Sequence, residues 1–437
     1  MDWLAISNSG VFKPTVMNAI INEFVPDPNA LLLTQKFMPR KDANDDRLIA
    51  LIKNGAYGVT AAAVPGAEHF HLAGLGGRYV EAKVPEWRES IVHLENELLK
   101  IRKPENPNEI WGLDIMTSDL SFLNIRLNNR IEQVTADTVF LNGYTINNYG
   151  IQYTYNAGVS SRYRVYMGDT VPSGMIETPW IAKADANLWT APTTCKPLRD
   201  IQGIRSYAGE LGLKLTGLVM NSKTAGYIEA ADSVTSIIQS SPVLAEKYMT
   251  IDMLISTVGG LKGLPVTIDD RIYNRETYVV TAAAAGASTI TVRDAKELGV
   301  TNSDYFIIRN GTGQSERVKV HASTSINTST PGAHIISLAA VTTIALAVQD
   351  RVTFAKKFVP EGYVAFEVAR QAGAEPANWI SIPSLVGKAN GRATPGVYNW
   401  SYVKPANQPP LMVEVGMGIN GGAVVFDSGG WIILKVA

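Results

Sequence analysis

Between Asn108 and Asn142 apolar residues recur at steps of three and four: Met116, Leu120, Leu123, Leu127, Ile131 and Val134. Asp119, Arg126, Arg130 and Glu132 fall between them. This spacing puts the apolar set on one stripe of an α-helix and the charges beside it. The segment predicts a helix of about 25 to 30 residues, roughly 40 Å long at 1.5 Å per residue. Globular helices average about a dozen residues, so one this long acts as a strut for other elements. No other segment constrains the fold as strongly.

What precedes the strut has little core of its own. In the first 50 residues "PTVMNAIINEF" predicts a short amphipathic helix, and "FVPDPNALLLTQKFMPRKD" breaks at prolines and resumes. Such a segment reads as an arm that packs on something else. From Leu51 to about Lys103 apolar and polar residues alternate between glycine breaks, and "RYVEAKVPEW" alternates at period two, as a strand does. Within this stretch His69 and His71 would share one face of a strand, but Glu68 would point to the other and no third ligand is near. "GLGG" at Gly74–Gly77 lacks the spacing and the Lys-Ser/Thr of a phosphate loop. The segment therefore reads as a long loop and not as a metal or nucleotide site. Gly66, Gly74, Gly76 and Gly77 let it bend, and the alternation through Arg78, Tyr79, Val80, Glu81 and Lys83 lets it form a strand on a neighbour.

After the strut, "NNYGIQYTYN" and "SRYRVYMG" predict strands. Trp189 to Tyr273 then reads as a compact α/β lobe. Leu198, Ile201, Ile204, Ala208 and Leu211 share a helical face, "LKLTGLVMN" is a strand, and Ser222 is placed to cap a helix in "KTAGYIEAA". Further helices are expected in "VTSIIQSS" and "TIDMLISTVGG", and a strand in "LPVTIDD". Between Tyr278 and Phe354 short period-two runs alternate with Gly, Asn and Ser turns, which predicts a small all-β unit of five or six strands, barrel or sandwich. The apolar close "PLMVEVGMGINGGAVVFDSGGWIILKVA" should pair in a sheet.

Composition narrows the function. The formal charge is −1, which argues against electrostatic capture of nucleic acid as the main role. Cys195 is the single cysteine, so no internal disulfide forms. The N-terminus "MDWLAISNSGVFKP" has no secretory pattern and no run is long enough to span a bilayer, so a soluble, intracellular product is expected. Asp269 and Asp270 read as turn residues. Glu316 and His321 are expected to face solvent, and no GxSxG elbow is present. No catalytic residue, metal or cofactor is assigned, and the chain is not read as an enzyme.

The order of pieces resembles the major capsid proteins of tailed bacteriophages, of the lambda-like major capsid protein E family with the Hong Kong 97-like fold. The resemblance rests on the loop ending "RYVEAKVPEWRESIVHLENELL", the strut "LDIMTSDLSFLNIRLNNRIEQVTADTVFL", the strand–turn–helix "LKLTGLVMNSKTAGYIEAADSV", the pair "DDRIYN" and "FVPEGYVAF", and the two apolar strands of the close. It implies an α+β chain: an N-terminal arm (1–50), an extended loop (51–105), a peripheral domain with the spine helix (106–188) and an axial α/β domain (189–274). An inserted small all-β domain (275–357) takes the place of a short hairpin, and the chain returns through the axial to the peripheral domain (358–437). The implied function is self-assembly into pentamers and hexamers of an icosahedral shell around double-stranded DNA, in the virion, after assembly in the host cytoplasm. Scaffolding, portal and decoration proteins are implied partners, without a membrane. Lys83 lies in the loop, but nothing assigns it to a covalent cross-link. The alternatives are an encapsulin-like compartment, another virion part such as a tail tube, and a metal-dependent hydrolase using His69, His71 or Asp269 and Asp270.

Overall fold

The computed structural model describes residues 30–43, 47–53, 77–94, 102–103, 106–110, 112–148, 151–167, 180–182, 187–240, 263–322, 326–369, 376–389, 395–404 and 412–437. The helices expected at 14–24 and 250–260 lie outside them. The architecture is α+β, and contacts divide the chain into two units: Met1–Thr135 with Arg370–Gly430, and Ala136–Ala369 with Trp431–Ala437.

The strut is one helix, Gly112–Leu141, of 30 residues. Leu120, Leu123, Leu127, Ile131 and Val134 are buried, whereas Phe122 and Ile125 on another face are half exposed. The side chain of Met116 lies outside the described residues. The helix stops at Asn142, which takes a left-handed backbone (φ 66°) and is followed by Gly143 at φ 147°. Asn142 Oδ1 then accepts from Val159 N at 2.9 Å, fixing the next turn. A Cβ on Gly143 would lie 2.0 Å from the Tyr155 carbonyl oxygen, so only glycine lets the hairpin Gly143–Asn148/Ile151–Asn156 fold back here.

One charge departs from the stripe. The spacing sets Glu132 among the polar residues, yet it is fully buried. Its carboxylate accepts hydrogen bonds from Leu33 N (2.6 Å), Thr34 N (3.0 Å) and Thr34 Oγ1 (2.8 Å). These donors open the short helix Leu32–Phe37, whose preceding residue Leu31 offers no side-chain cap. A buried carboxylate is tolerable only where donors meet its lone pairs, and the unpaired first-turn amides of a helix are such donors.

In the first unit, strand Met412–Val425 organises the sheet. Its first half pairs antiparallel with Glu86–Leu94 on one side and Val397–Val403 on the other. Its second half pairs with Ala377–Ser381, which runs parallel to Arg40–Asp42. Val413, Val415, Met417 and Ile419 are buried on one face. The opposite face carries Gly416 and Gly418, directly across from Trp400 and Tyr398. A Cβ on Gly416 would lie 2.1 Å from the Trp400 ring, and one on Gly418 would lie 2.7 Å from the Tyr398 ring, so the rings lie flat on bare backbone.

In the second unit, the sheet order is Ile181–Ala182, Arg164–Tyr166, Trp431–Lys435, Tyr363–Val368, Leu215–Met220, Val266–Ile268. The apolar strand Trp431–Lys435 sits near the middle, parallel to one neighbour and antiparallel to the other. Helices Pro197–Glu210, Ser222–Ala230 and Asp232–Ser240 supply Leu198, Ile201, Ile204, Ala208, Ala225, Ile228 and Val234 to its core. The cap of Ser222–Ala230 is Asn221, whose Oδ1 accepts from Thr224 N at 2.8 Å. Ser222 is therefore the first helical residue rather than the cap; both types cap, and the chain's exit from the strand selects the earlier one.

A second six-stranded sheet of this unit has the order Ser315–Lys319, Tyr305–Arg309, Arg351–Lys357, Ile272–Thr281, Thr289–Val292, His334–Ser337. Its edges meet through a bridge between Val320 and Leu338, which closes it into a small barrel. The interior holds Val279, Ile290, Val292, Phe306, Ile308, Val318, Ile336 and Val352. The barrel enters and leaves by paired strands, with Ile272 opposite Lys357. Arg275 Nη2 lies 3.4 Å from Asp137 Oδ2 on the last turns of the long helix.

Two expectations follow. Glu132→Ala strands the buried amides of Leu33 and Thr34, while the Thr34 hydroxyl keeps Thr135 Oγ1 at 3.1 Å, and should cost about 3 kcal/mol in urea unfolding. Glu89→Ala, which breaks a part-exposed pair with Arg126, should cost less than about 1 kcal/mol. Equal costs would contradict the capping role of Glu132. Gly416→Ala should destabilise by about 1–3 kcal/mol through overpacking, and by clearly less in a Trp400→Ala background. The same cost in both backgrounds would show that the ring is not the obstacle.

Candidate intersubunit interface

Strands Arg47–Lys53 and Gly77–Lys83 form an antiparallel ribbon of seven residue pairs, from Arg47 opposite Lys83 to Lys53 opposite Gly77. The ribbon is described by its backbone. Among the described residues neither strand pairs with any other strand. A two-stranded ribbon is marginal alone in water, and its outer N–H and C=O groups are open to further pairing. Of the loop residues singled out from sequence, Gly77, Arg78, Tyr79, Val80, Glu81 and Lys83 belong to the second strand. Gly66, His69, His71, Gly74 and Gly76 lie outside the described residues.

The base of the ribbon is fixed firmly. From Lys83 the chain passes Val84 and Pro85 and enters the sheet strand Glu86–Leu94. Trp87 Nε1 donates to the Gly421 carbonyl at 2.8 Å, and Gly421 N donates to the Pro85 carbonyl at 3.1 Å. On one face of this strand Trp87, Glu89 and His93 each meet the long helix. The Arg130 guanidinium lies 5.2 Å from the Trp87 ring centroid. Arg126 makes a two-pronged pair with Glu89, at 2.7 and 2.6 Å. His93 Nε2 lies 2.6 Å from Asp119 Oδ2. Strand numbers rise while helix numbers fall, so strand and helix run antiparallel. The charges between the helix stripe and the sheet thus bind the strand that continues the ribbon.

At the ribbon's root on the other sheet face, Glu86 accepts hydrogen bonds from Ser384 Oγ (2.6 Å) and from the Tyr398 hydroxyl. Burial first, and then the bond to Glu86, push the Tyr398 phenol well above its usual range. Further along, this face exposes apolar side chains: Val92, Leu94 and Tyr402 are each close to half exposed. Met412 pairs with Leu94, and Glu414 lies between Val92 and Tyr402.

The residues weighed for catalysis have other partners. Asp269 is buried, and its carboxylate accepts from Arg271 N, Nε and Nη2 at 2.7–3.1 Å, an Asx-type turn closed by an ion pair. Asp270 Oδ1 accepts from Ser222 N (3.1 Å), Ser222 Oγ (2.9 Å) and Lys357 Nζ (2.6 Å). Burial opposes its ionisation, but these bonds hold its pKa below the usual carboxylate range. Glu316, expected in solvent, instead accepts from Thr343 N (2.8 Å) and Ile344 N (3.3 Å) and pins a barrel loop. His321 is half-buried. The Cys195 thiol is buried, and burial raises its pKa, which makes it a poor nucleophile. Among the described residues no group of three or more His, Cys, Asp or Glu could hold a metal ion. No described helix is long and apolar enough to cross a membrane.

The arrangement therefore offers contact surfaces: an unpartnered ribbon on a rigid base, and an apolar sheet face beside it. The period-two run "EWRESIVHL" is a sequence signal for the strand. The match of Trp87, Glu89 and His93 to Arg130, Arg126 and Asp119 becomes visible only once the two elements are brought together.

No protein-family model matches the sequence. No curated protein matches it either. The fold is similar to that of a prophage protein from Escherichia coli CFT073 described as a capsid protein, with 11% sequence identity, a TM-score of 0.49, and 97% of this chain and 99% of that chain covered. It is similar to the capsid structure of the cyanophage P-SCSP1u, at 8% identity and a TM-score of 0.42, covering 92% of this chain and 87% of that chain. An encapsulin from Synechococcus elongatus PCC 7942 is also similar, at 7% identity and a TM-score of 0.38, covering 95% of this chain and 91% of that one. Over most of its length, the chain is similar to structures of phage capsids and of an encapsulin.

Proposed function

We propose that this chain is the major capsid subunit of a tailed phage, which self-assembles into an icosahedral shell enclosing double-stranded DNA. The observation that carries the reading is the ribbon Arg47–Lys53/Gly77–Lys83, which pairs with nothing else described yet grows from a base held by Trp87, Glu86 and Gly421. A chain that invests a rigid base in a ribbon with open edges has a use for those edges outside itself. In this reading residues 1–50 are the arm, 51–105 the extended loop and 106–188 the peripheral domain with its spine helix. Residues 189–274 are the axial domain, 275–357 an inserted β domain, and 358–437 the return. Gly66, His69, His71, Gly74, Gly76 and the strand from Gly77 to Lys83 reach the neighbouring subunit. The long helix, whose Leu120, Leu123 and Leu127 are buried, keeps the base from yielding when the loop is loaded.

The charge of −1 suits this role, because a shell that confines DNA should not grip it. Pentamers and hexamers of the chain are the primary assembly, and scaffolding, portal and decoration proteins are its further partners. The role is structural and no catalytic step is assigned.

Negative-stain microscopy of the protein, expressed alone and with its neighbouring genes, should reveal closed shells or capsomer rings. A species that stays monomeric at every concentration would contradict the reading. Shells filled with protein cargo and free of nucleic acid would favour an encapsulin-like compartment instead. Deleting residues 61–83 should leave a monomer with an unchanged thermal midpoint that forms no shells. A deletion variant that assembles normally would remove the ribbon from the account.

A further inference from the structure

The barrel carries a charge that the rest of the chain does not share. From Ile272 to Lys357 it holds nine lysines and arginines against six acids, in a chain with a net charge of −1. Most of those acids are turned inward to backbone. Asp294 accepts from Lys296 N and Glu297 N, Asp304 from Thr301 N, Glu316 from Thr343 N and Ile344 N, and Asp350 from Ala347 N. Glu276 lies 4.0 Å from Arg351.

The bases collect on one outer face. Along Tyr305–Arg309 the burial alternates, so Tyr305, Ile307 and Arg309 point outward. Lys319 lies opposite Tyr305, Arg317 opposite Ile307, and Arg351 opposite Arg309. Arg317 and Lys319 lie over the Tyr305 ring, at 4.4 and 5.4 Å from its centroid. Tyr305 and Ile307 stay 48% and 43% exposed, far above the usual state of large apolar side chains in a sheet. Among the described residues no carboxylate pairs with Arg309, Arg317 or Lys319. The face thus combines two exposed apolar side chains with three uncompensated cations.

We infer that this face docks on the acidic surface of a second copy of the same chain. The inference rests on the shell reading, in which every subunit has identical neighbours. Charge complementarity selects the occupant: with the barrel positive and the whole chain at −1, the remainder of each copy is negative. Exposed carboxylates such as Glu210, Glu229 and Asp232 form no ion pair among the described residues, so acid is available on the mate. The two apolar side chains favour a protein surface over a phosphate backbone, which would meet only one ring, already covered by Arg317 and Lys319.

Sedimentation of the full chain compares wild type with the reversal Arg309→Glu/Arg317→Glu/Lys319→Glu and the neutral Arg309→Gln/Arg317→Gln/Lys319→Gln. All three side chains point outward, so both variants should keep the wild-type circular dichroism. Self-association should weaken at least tenfold in the reversal and by less in the neutral variant. Wild-type association should also weaken between about 0.1 M and about 1 M salt, as the screening length falls from about 10 Å to about 3 Å. Unchanged association in both folded variants overturns the inference, and if wild-type shells still form, the shell reading survives that failure. Tighter wild-type binding to duplex DNA than to polyglutamate, lost in the reversal, would also overturn it by making the partner a nucleic acid.

Discussion

The first unit depends on one packing arrangement: the long helix laid antiparallel across strand Glu86–Leu94 and its partner Met412–Val425. Leu120, Leu123 and Leu127 on the helix are buried, as are Val413, Val415, Met417 and Ile419, which lie on the sheet face that Trp87, Glu89 and His93 share. The rungs Trp87–Arg130, Glu89–Arg126 and His93–Asp119 add little energy each, since they are only partly buried. They fix register instead. A slip of one residue would turn Trp87, Glu89 and His93 to the other sheet face and leave their helix partners unmatched. The ribbon ends at Lys83, four residues before the first rung at Trp87, so its direction is set by the same register.

The buried Glu132 does a related task further along the helix. It holds the first turn of Leu32–Phe37, the first helix among the described residues, and so ties that helix to the strut. Both devices let segments with little core of their own start from a defined point. The barrel shows a different economy: its carboxylates serve its own turns, and its cations are left for an outer face. Charge that stabilises locally and charge that remains available are thereby separated by strand alternation.

Much of this was legible in the sequence, and the reasons differ by element. The long helix was, because a 3.6-residue period over 30 residues has no competing reading. The barrel strands were, because turns and period-two runs alternate regularly, and the apolar end was, because a strand such as Trp431–Lys435 has no place at a surface. Glu132 was not: periodicity sorts residues by face, and only a helix start 98 residues away makes a buried carboxylate acceptable. Nor was the role of Glu316, whose partners Thr343 and Ile344 reach it across the barrel. The shift of the helix cap from Ser222 to Asn221 reflects two residues with nearly equal capping strength, decided by the end of strand Leu215–Met220. The cation face was hidden too, because Arg309, Arg317 and Lys319 come together only through strand pairing.

The central claim is that the ribbon is completed by a neighbouring subunit. Hydrogen exchange of backbone amides, compared between assembled and dissociated protein, tests it most directly. The account predicts that amides of 47–53 and 77–83 exchange freely in the dissociated subunit and are strongly protected in the assembly, while those of Glu86–Leu94 are protected in both. Equal protection of the ribbon in both states, or exchange as fast in the assembly as in the free subunit, would contradict it.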